Sequence, residues 1–316
     1  MKKFVKYILL TGFVSVVLIT AFFLGIVAYP QNVFQVSYQS AIQDKFDALM
    51  NTNEPKIIIL GGSSAAFGIN QQLIEMETGY KVVNLGVHAD FGRAFYAELS
   101  KANINSGDIV LIGYEYGWNE QGAFSSLGTD LVMSGIDSKL EMYRYIPCRF
   151  WPSILGYLPE YAEKKNEYIP IPSGCYTRTA FDKSGQMIYV RDGELRNYNE
   201  KDFSRVKIEN AEISGESIAY LGNYADYVYE RGAKVYFIAP PLLKDALICD
   251  TSLLRALADN EEMTIGIPYI SDPVDYLYPG DLMYDTIYHC NNKGELVRTL
   301  QLIEDMINAG IVPKDK

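Results

Sequence analysis

Residues 56–69 read KIIILGGSSAAFGI. The run from Lys56 to Leu60 is short and almost wholly apolar. That is the pattern of a strand buried on both faces, as in a parallel sheet with helices on each side. It stops at a Gly/Ser turn, and a helical pattern over Asn70–Glu77 follows, ending at Gly79. The alternation then repeats. Lys81–Asn84 is a second strand, with Leu85-Gly86 at its end. A helix is expected from about Phe91 to Ala102, and Asp108–Gly113 (DIVLIG) is a third strand.

The rhythm stops between about Gln121 and Tyr198, a stretch rich in Tyr and Pro that contains Trp151. It reads as an insertion, at about 121–200, of short helices and loops. Its tyrosines suit either a glycan-binding cap or a structural lid with rings packed inward. Regular order returns with a helix from about Glu212 to Tyr229. Lys234–Ala239 (KVYFIA) is a fourth strand, closed by Pro240-Pro241. A helix over Ser252–Glu262, a short fifth strand at Gly266–Ile270 and a last helix from Asn292 to Ala309 complete the series. Asn292 and Glu295 have the spacing of a capping box. Repeated strand–helix units imply a parallel sheet covered by helices. The expectation is an α/β domain over 55–316, three-layer (α/β/α) and flavodoxin-like, with a five-stranded parallel sheet. Its ligands would bind beyond the carboxyl ends of the strands.

Ahead of this domain the composition changes. Lys2, Lys3 and Lys6 precede an uncharged apolar run from Tyr7 to about Tyr29. The run is long enough to cross a bilayer, and longer than the apolar core of a cleavable signal. The only small-residue cleavage site ends at Ala28, with Ile26 at −3 and Pro30 just beyond, and is a poor one. Residues 1–30 therefore read as a cytoplasmic tip and an uncleaved single-pass transmembrane helix. The positive-inside rule keeps the lysines in the cytoplasm and puts the C-terminal domain outside the cell. Residues 31–54 read as a polar connector.

The formal net charge is −11, and no basic patch of the kind nucleic acid requires is present in the sequence. Of the four cysteines, Cys148, Cys175, Cys249 and Cys290, no pair has metal-finger spacing. No cofactor motif is seen. Two disulfides, Cys148 with Cys175 and Cys249 with Cys290, would close the shorter loops; four small buried thiols are the other reading.

Chemistry gathers at strand ends. Ser63 and Ser64 stand in the turn after the first strand, Gly86 after the second, and Asp285-Thr286-Ile287-Tyr288-His289 just before the last helix. A serine hydroxyl becomes a nucleophile when a base takes its proton, and an imidazole base needs a carboxylate to hold its tautomer. The chain has only two histidines, so His289 in this position is a candidate base. The other, His88, lies two residues past Gly86 and either lines the same cleft or sits in a surface loop.

These blocks, in this order, resemble the SGNH (GDSL-like) hydrolase superfamily, and most of all its membrane-anchored extracytoplasmic members linked to O-acylation of cell-surface polymers. The resemblance covers about Lys56–Gly113 and Lys234–Ala309. It implies Ser63 as nucleophile, His289 as general base and Asp285 as its orienting acid, with Ser63 and Gly86 N–H groups in the oxyanion hole. Ser64 is the rival nucleophile. Two departures stand out. The family's third block carries an Asn that completes the oxyanion hole; here the strand continues Tyr114-Glu115-Tyr116-Gly117-Trp118-Asn119, so Asn119 is the substitute donor, and Glu115, Tyr116 and Trp118 are pocket candidates. The Asp…His spacing is also one residue longer. The resemblance implies a serine esterase or O-acyltransferase acting on acyl esters of a cell-surface glycan or lipid-linked polymer, working with a multi-pass membrane acyltransferase. The alternative is a non-catalytic accessory protein that keeps the fold, and a simple lipase is the weaker third reading.

Overall fold

Four short strands pair in parallel in the order β2-β1-β3-β4. They are β1 (Lys56–Gly61), β2 (Lys81–Asn84), β3 (Ile109–Gly113) and β4 (Lys234–Phe237). The computed structural model describes residues 1–117, 127–168, 170–171 and 173–313. Side chains alternate across the sheet with the two-residue period of a strand. Ile58, Leu60, Val110, Ile112, Val235 and Phe237 face one core. Ile57, Ile59, Ile109 and Leu111 face the other. Helices cover both faces. On the first side lie α3 (Ala41–Asn51), α6 (Arg93–Ser100) and α9 (Gly215–Glu230). On the second lie α5 (Gln71–Thr78) and α11 (Asn292–Asn308), which contribute Ile74, Leu302, Ile303 and Met306. Lys56 is buried in the strand but paired with the equally buried Asp108 at 2.8 Å.

Among the described residues the sheet has four strands where the sequence suggested five. Segment 266–270 follows α10 (Thr251–Ile265) and meets β4 in a single parallel bridge, Phe237 with Tyr269. Phe237 N–H donates to Pro268 O and Ile270 N–H to Phe237 O. Pro268 has no N–H to extend the ladder, which limits the pairing. A separate two-stranded parallel pair, β5 (Leu242–Leu243) with β6 (Leu277–Tyr278), was not anticipated. The cap of α11 also lies one residue earlier than expected. Asn291, not Asn292, accepts from Gly294 N–H. Glu295 is drawn instead to the buried Arg191, so no capping box forms. All four cysteines are free thiols, Cys148 exposed and Cys175 and Cys290 buried, so neither disulfide is present.

The N-terminal helix α1 (Lys2–Val27) has 26 residues and a mean hydropathy of 2.5 in its apolar window. At 1.5 Å per residue it is about 39 Å long, more than the ~30 Å hydrocarbon core of a bilayer. Its length and apolar character allow it to span a membrane. Nearly all of it is exposed, except the last turns, where Phe23 and Val27 are buried. There Phe23 packs edge-on to Tyr143 at 5.3 Å and against Trp151 at 5.7 Å. The inserted region thus holds the end of α1. It also contains α7 (Thr129–Gly135) and α8 (Trp151–Lys164). The connector folds into α2 (Asn32–Val36) and α3.

Candidate active site

The strand order places the topological switch between β1 and β3, because the chain steps from β1 to β2 on one side and then returns to β1's other edge. Crevices at such points bind ligands in open α/β sheets. The two strand ends are register partners, Gly61 with Gly113. Just beyond them come α4 (Ser63–Gly68) and Glu115.

Ser63 is half-buried at the first position of α4, and its hydroxyl makes no hydrogen bond among the described residues. Ser64 is fully buried, and its Oγ has no hydrogen-bond partner among the described residues. Phe67 lies one turn beyond Ser63 and so shares its side of the helix. The Phe67 ring stacks on His289 with centroids 4.0 Å apart and planes 8° from parallel. The imidazole is therefore held against α4, the helix that begins at Ser63, although no hydrogen bond joins Ser63 and His289 among the described residues.

His289 is 6% exposed. Its Nδ1 lies 2.8 Å from Asp285 Oδ1. An Nδ1–H donated to that carboxylate leaves Nε2 with a free lone pair, and Nε2 has no hydrogen-bond partner among the described residues. The longer Asp…His spacing does not separate the pair. An antiparallel bridge between Met283 and Cys290, with Tyr284 N–H donating to His289 O at 2.7 Å, folds the segment into a closed loop. Burial opposes ionisation of Asp285, but hydrogen bonds from His289 and Tyr176 outweigh it and hold the carboxyl below its ordinary value. Tyr176 comes from the inserted region and donates to Asp285 Oδ2. Burial first, and then the Asp285 carboxylate, push the Tyr176 phenol upward, so it stays a proton donor.

One of the expected oxyanion donors, Gly86, is arranged differently. Gly86 N–H is bonded to Asn84 Oδ1 at 2.9 Å in the interior. Glycine is needed at 86 for packing: a Cβ there would lie 2.7 Å from both Gly62 O and Ala65 Cβ. Gly86 therefore serves the fold and does not offer its N–H to a ligand. Glu115 Oε1 accepts from Ser64 N–H at 3.0 Å. Its carboxylate lies against Gly62, where a Cβ would meet Oε1 at 2.5 Å unless the Glu115 side chain moved. A negative group thus sits at the start of α4. Trp118 and Asn119 lie outside the described residues. Tyr116 and Glu115 line a small cleft of about 150 Å³ with Gly62, Arg93, Tyr96 and Tyr114. His88 lies outside this small cleft but in the wall of a larger cavity between the connector and the inserted region. It is 40% exposed, and its Nδ1 accepts from Asp90 N–H, capping a short turn.

Several supporting residues escaped sequence reasoning. Arg298, fully buried on α11, donates to Ser64 O at 2.6 Å. Arg191 donates to Phe67 O at 2.7 Å. Together they pin both ends of α4. Neither stands in a motif, and only the fold brings them to that helix. Tyr176 had a weak signal in the richness of its segment in tyrosine. In comparison with known proteins, no family model and no curated protein matches this chain.

Proposed function

We propose that the protein is a membrane-anchored serine esterase or O-acyltransferase of SGNH type. The observation that carries this reading is the pair formed by the half-buried Asp285 and the buried His289, oriented by Tyr176 and stacked through Phe67 on the helix that carries Ser63. In this scheme Ser63 Oγ attacks the ester carbonyl while His289 Nε2 takes its proton. The tetrahedral intermediate collapses by breaking the C–O bond to the alcohol, which leaves with the proton from Nε2. Acyl-Ser63 then passes its acyl group to water or to an acceptor hydroxyl by the same steps reversed. Asp285 stays ionised and stabilises the imidazolium. The acyl substrate is read as an ester of a surface glycan or lipid-linked polymer, and a multi-pass membrane acyltransferase is the partner that would supply acyl groups.

One arrangement favours a second reading. Gly86 N–H is spent on Asn84, and the Glu115 carboxylate occupies Ser64 N–H. Losing one oxyanion donor costs roughly 100–1000-fold in rate. A non-catalytic accessory protein would tolerate that loss. The experiment is turnover of p-nitrophenyl acetate, with fluorophosphonate labelling, by the full-length protein in detergent. Wild type is compared with Ser63→Ala, Ser64→Ala and His289→Ala, each checked for cooperative melting. The proposal expects labelled, active wild type and loss of both in Ser63→Ala and His289→Ala. Full activity in Ser63→Ala with loss in Ser64→Ala would move the nucleophile to Ser64. Wild type that is neither active nor labelled would leave the accessory reading.

A further inference from the structure

The largest cavity among those described lies apart from the Glu115 cleft, between the connector and the inserted region. Its volume is about 540 Å³, within the ~300–1,000 Å³ range of small-molecule sites. Its wall carries Phe34, Tyr38, Leu131, Tyr157, Tyr161 and Tyr176, with the polar Gln39, His88, Asp130 and Lys164 among them. The polar tips of these rings are turned away or spent. Tyr38 OH donates to Val87 O at 2.8 Å, Tyr161 OH to Met133 O and Asp137, and Tyr157 OH accepts from Lys164. The serines of the wall are spent as well: Ser37 Oγ donates to Phe34 O and Ser134 Oγ to Asp130 O. What remains facing the space is largely ring face and aliphatic carbon. A hydrocarbon chain can lie along these ring faces without hydrogen-bond partners.

Position narrows the ligand further. Val33, in the cavity wall, follows closely on Val27, the last residue of α1. Lys165, next to the wall residue Lys164, donates to Ile26 O at 2.7 Å and to Tyr29 O, and pairs with the buried Asp137. These bonds fix the cavity beside the end of the membrane-length helix. Another wall residue, Tyr176, bonds Asp285, and its ring lies 6.0 Å from that of Phe67. The cavity therefore lies between the connector that follows α1 and Tyr176, the hydrogen-bond partner of Asp285.

We infer that this cavity receives the hydrocarbon tail of a membrane lipid ester, with the ester carbonyl presented toward His289. The inference rests on the acyl-ester reading above and names its substrate class. The test uses the full-length protein in phosphatidylglycerol–phosphatidylcholine vesicles with a palmitoyl ester that carries a diazirine at the end of its tail. After illumination and digestion, label is expected in peptides carrying Leu131, Tyr157, Tyr161 or Tyr176, competed by unlabelled palmitoyl ester. Leu131→Trp, which fills the cavity, should reduce that label about tenfold, a loss of ~1.4 kcal/mol in binding. Met263→Trp, at an exposed site elsewhere, should not. His289→Ala should keep the label, because binding does not need the base. This arm separates the two proposals: a protein inert toward every ester but labelled in the cavity would refute the catalytic reading and keep the tail site. Label confined to α1, or label undiminished by competitor or by Leu131→Trp, overturns the inference. If Leu131→Trp fails to fold, the position and competition of label in wild type decide.

Discussion

Arg191 is fully buried, and its guanidinium joins three parts of the molecule. It donates to Phe67 O at 2.7 Å, pairs with Glu295 on α11, and sits 5.4 Å from the Phe67 ring centroid. Burial pushes the Glu295 carboxyl above its ordinary value, while Arg191 and a hydrogen bond from Gln186 pull it back. Arg191→Met keeps much of the volume and removes the charge. Breaking one side of a buried ion pair costs about 3–5 kcal/mol, and the freed Phe67 carbonyl accounts for ~1–3 of that. Without its partner, Glu295 would be pushed higher still and would hold a proton that the unfolded chain releases. The variant's deficit should therefore grow as pH rises from the ordinary glutamate range. The assay is urea unfolding of full-length protein in nonionic detergent, followed by tryptophan fluorescence at pH 5 and pH 8. Arg191→Met should lose about 4 kcal/mol at pH 8 and visibly less at pH 5. Arg191→Met/Glu295→Gln should recover all but the ~1–3 kcal/mol of the lost carbonyl bond. A single-variant loss below ~1 kcal/mol, or a double variant no better than the single, would refute the idea that this pair holds α4 against α11.

Burial pushes the Glu261 carboxyl from 4.5 to about 8, against the pull of Arg93, and its Oε1 has no partner among the described residues. Because the folded value is the higher one, its contribution to stability is whole below about 4.5 and is lost as pH rises to about 8, at up to ~1.4 kcal/mol per pH unit; Glu261→Gln should flatten that slope, and an unchanged pH profile of melting would show that Glu261 is ionised in the fold. Glu115→Gln keeps an acceptor for Ser64 N–H but removes the negative charge at the start of α4; ester turnover should rise about tenfold, a barrier lowered by ~1.4 kcal/mol, whereas a fall in kcat would show that the carboxylate itself assists the reaction. With Lys2, Lys3 and Lys6 inside, protease added to intact cells should digest the domain beyond Pro30, and full protection beside a digested surface control would reverse the proposed orientation.

The parallel strands were legible because burial on both faces leaves a direct mark: continuous apolar runs such as Ile57–Leu60 and Ile109–Ile112 bounded by glycine. The helix stop at Gly79 and the apolar span of α1 are equally local and were read without the fold. The fifth strand failed for the opposite reason. Its apolar content was visible, but pairing depends on donors from a neighbour, and Pro268 has none to give. At the site, a short spacing in sequence brought Asp285 to His289, so the dyad could be anticipated from order and chemistry. Its supports could not. Tyr176 reaches Asp285 across 109 residues, Glu115 reaches Ser64 across 51, and Arg298 reaches Ser64 across 234. Gly86 shows the limit most sharply: the sequence marks a glycine after a strand, but whether its N–H faces a ligand or a neighbouring Asn84 is set by how α4 packs on the sheet. Strand burial, helix ends and the membrane-length span follow from nearest neighbours along the chain, whereas the direction of each donor, and which buried charge meets which, exist only once distant segments are packed together.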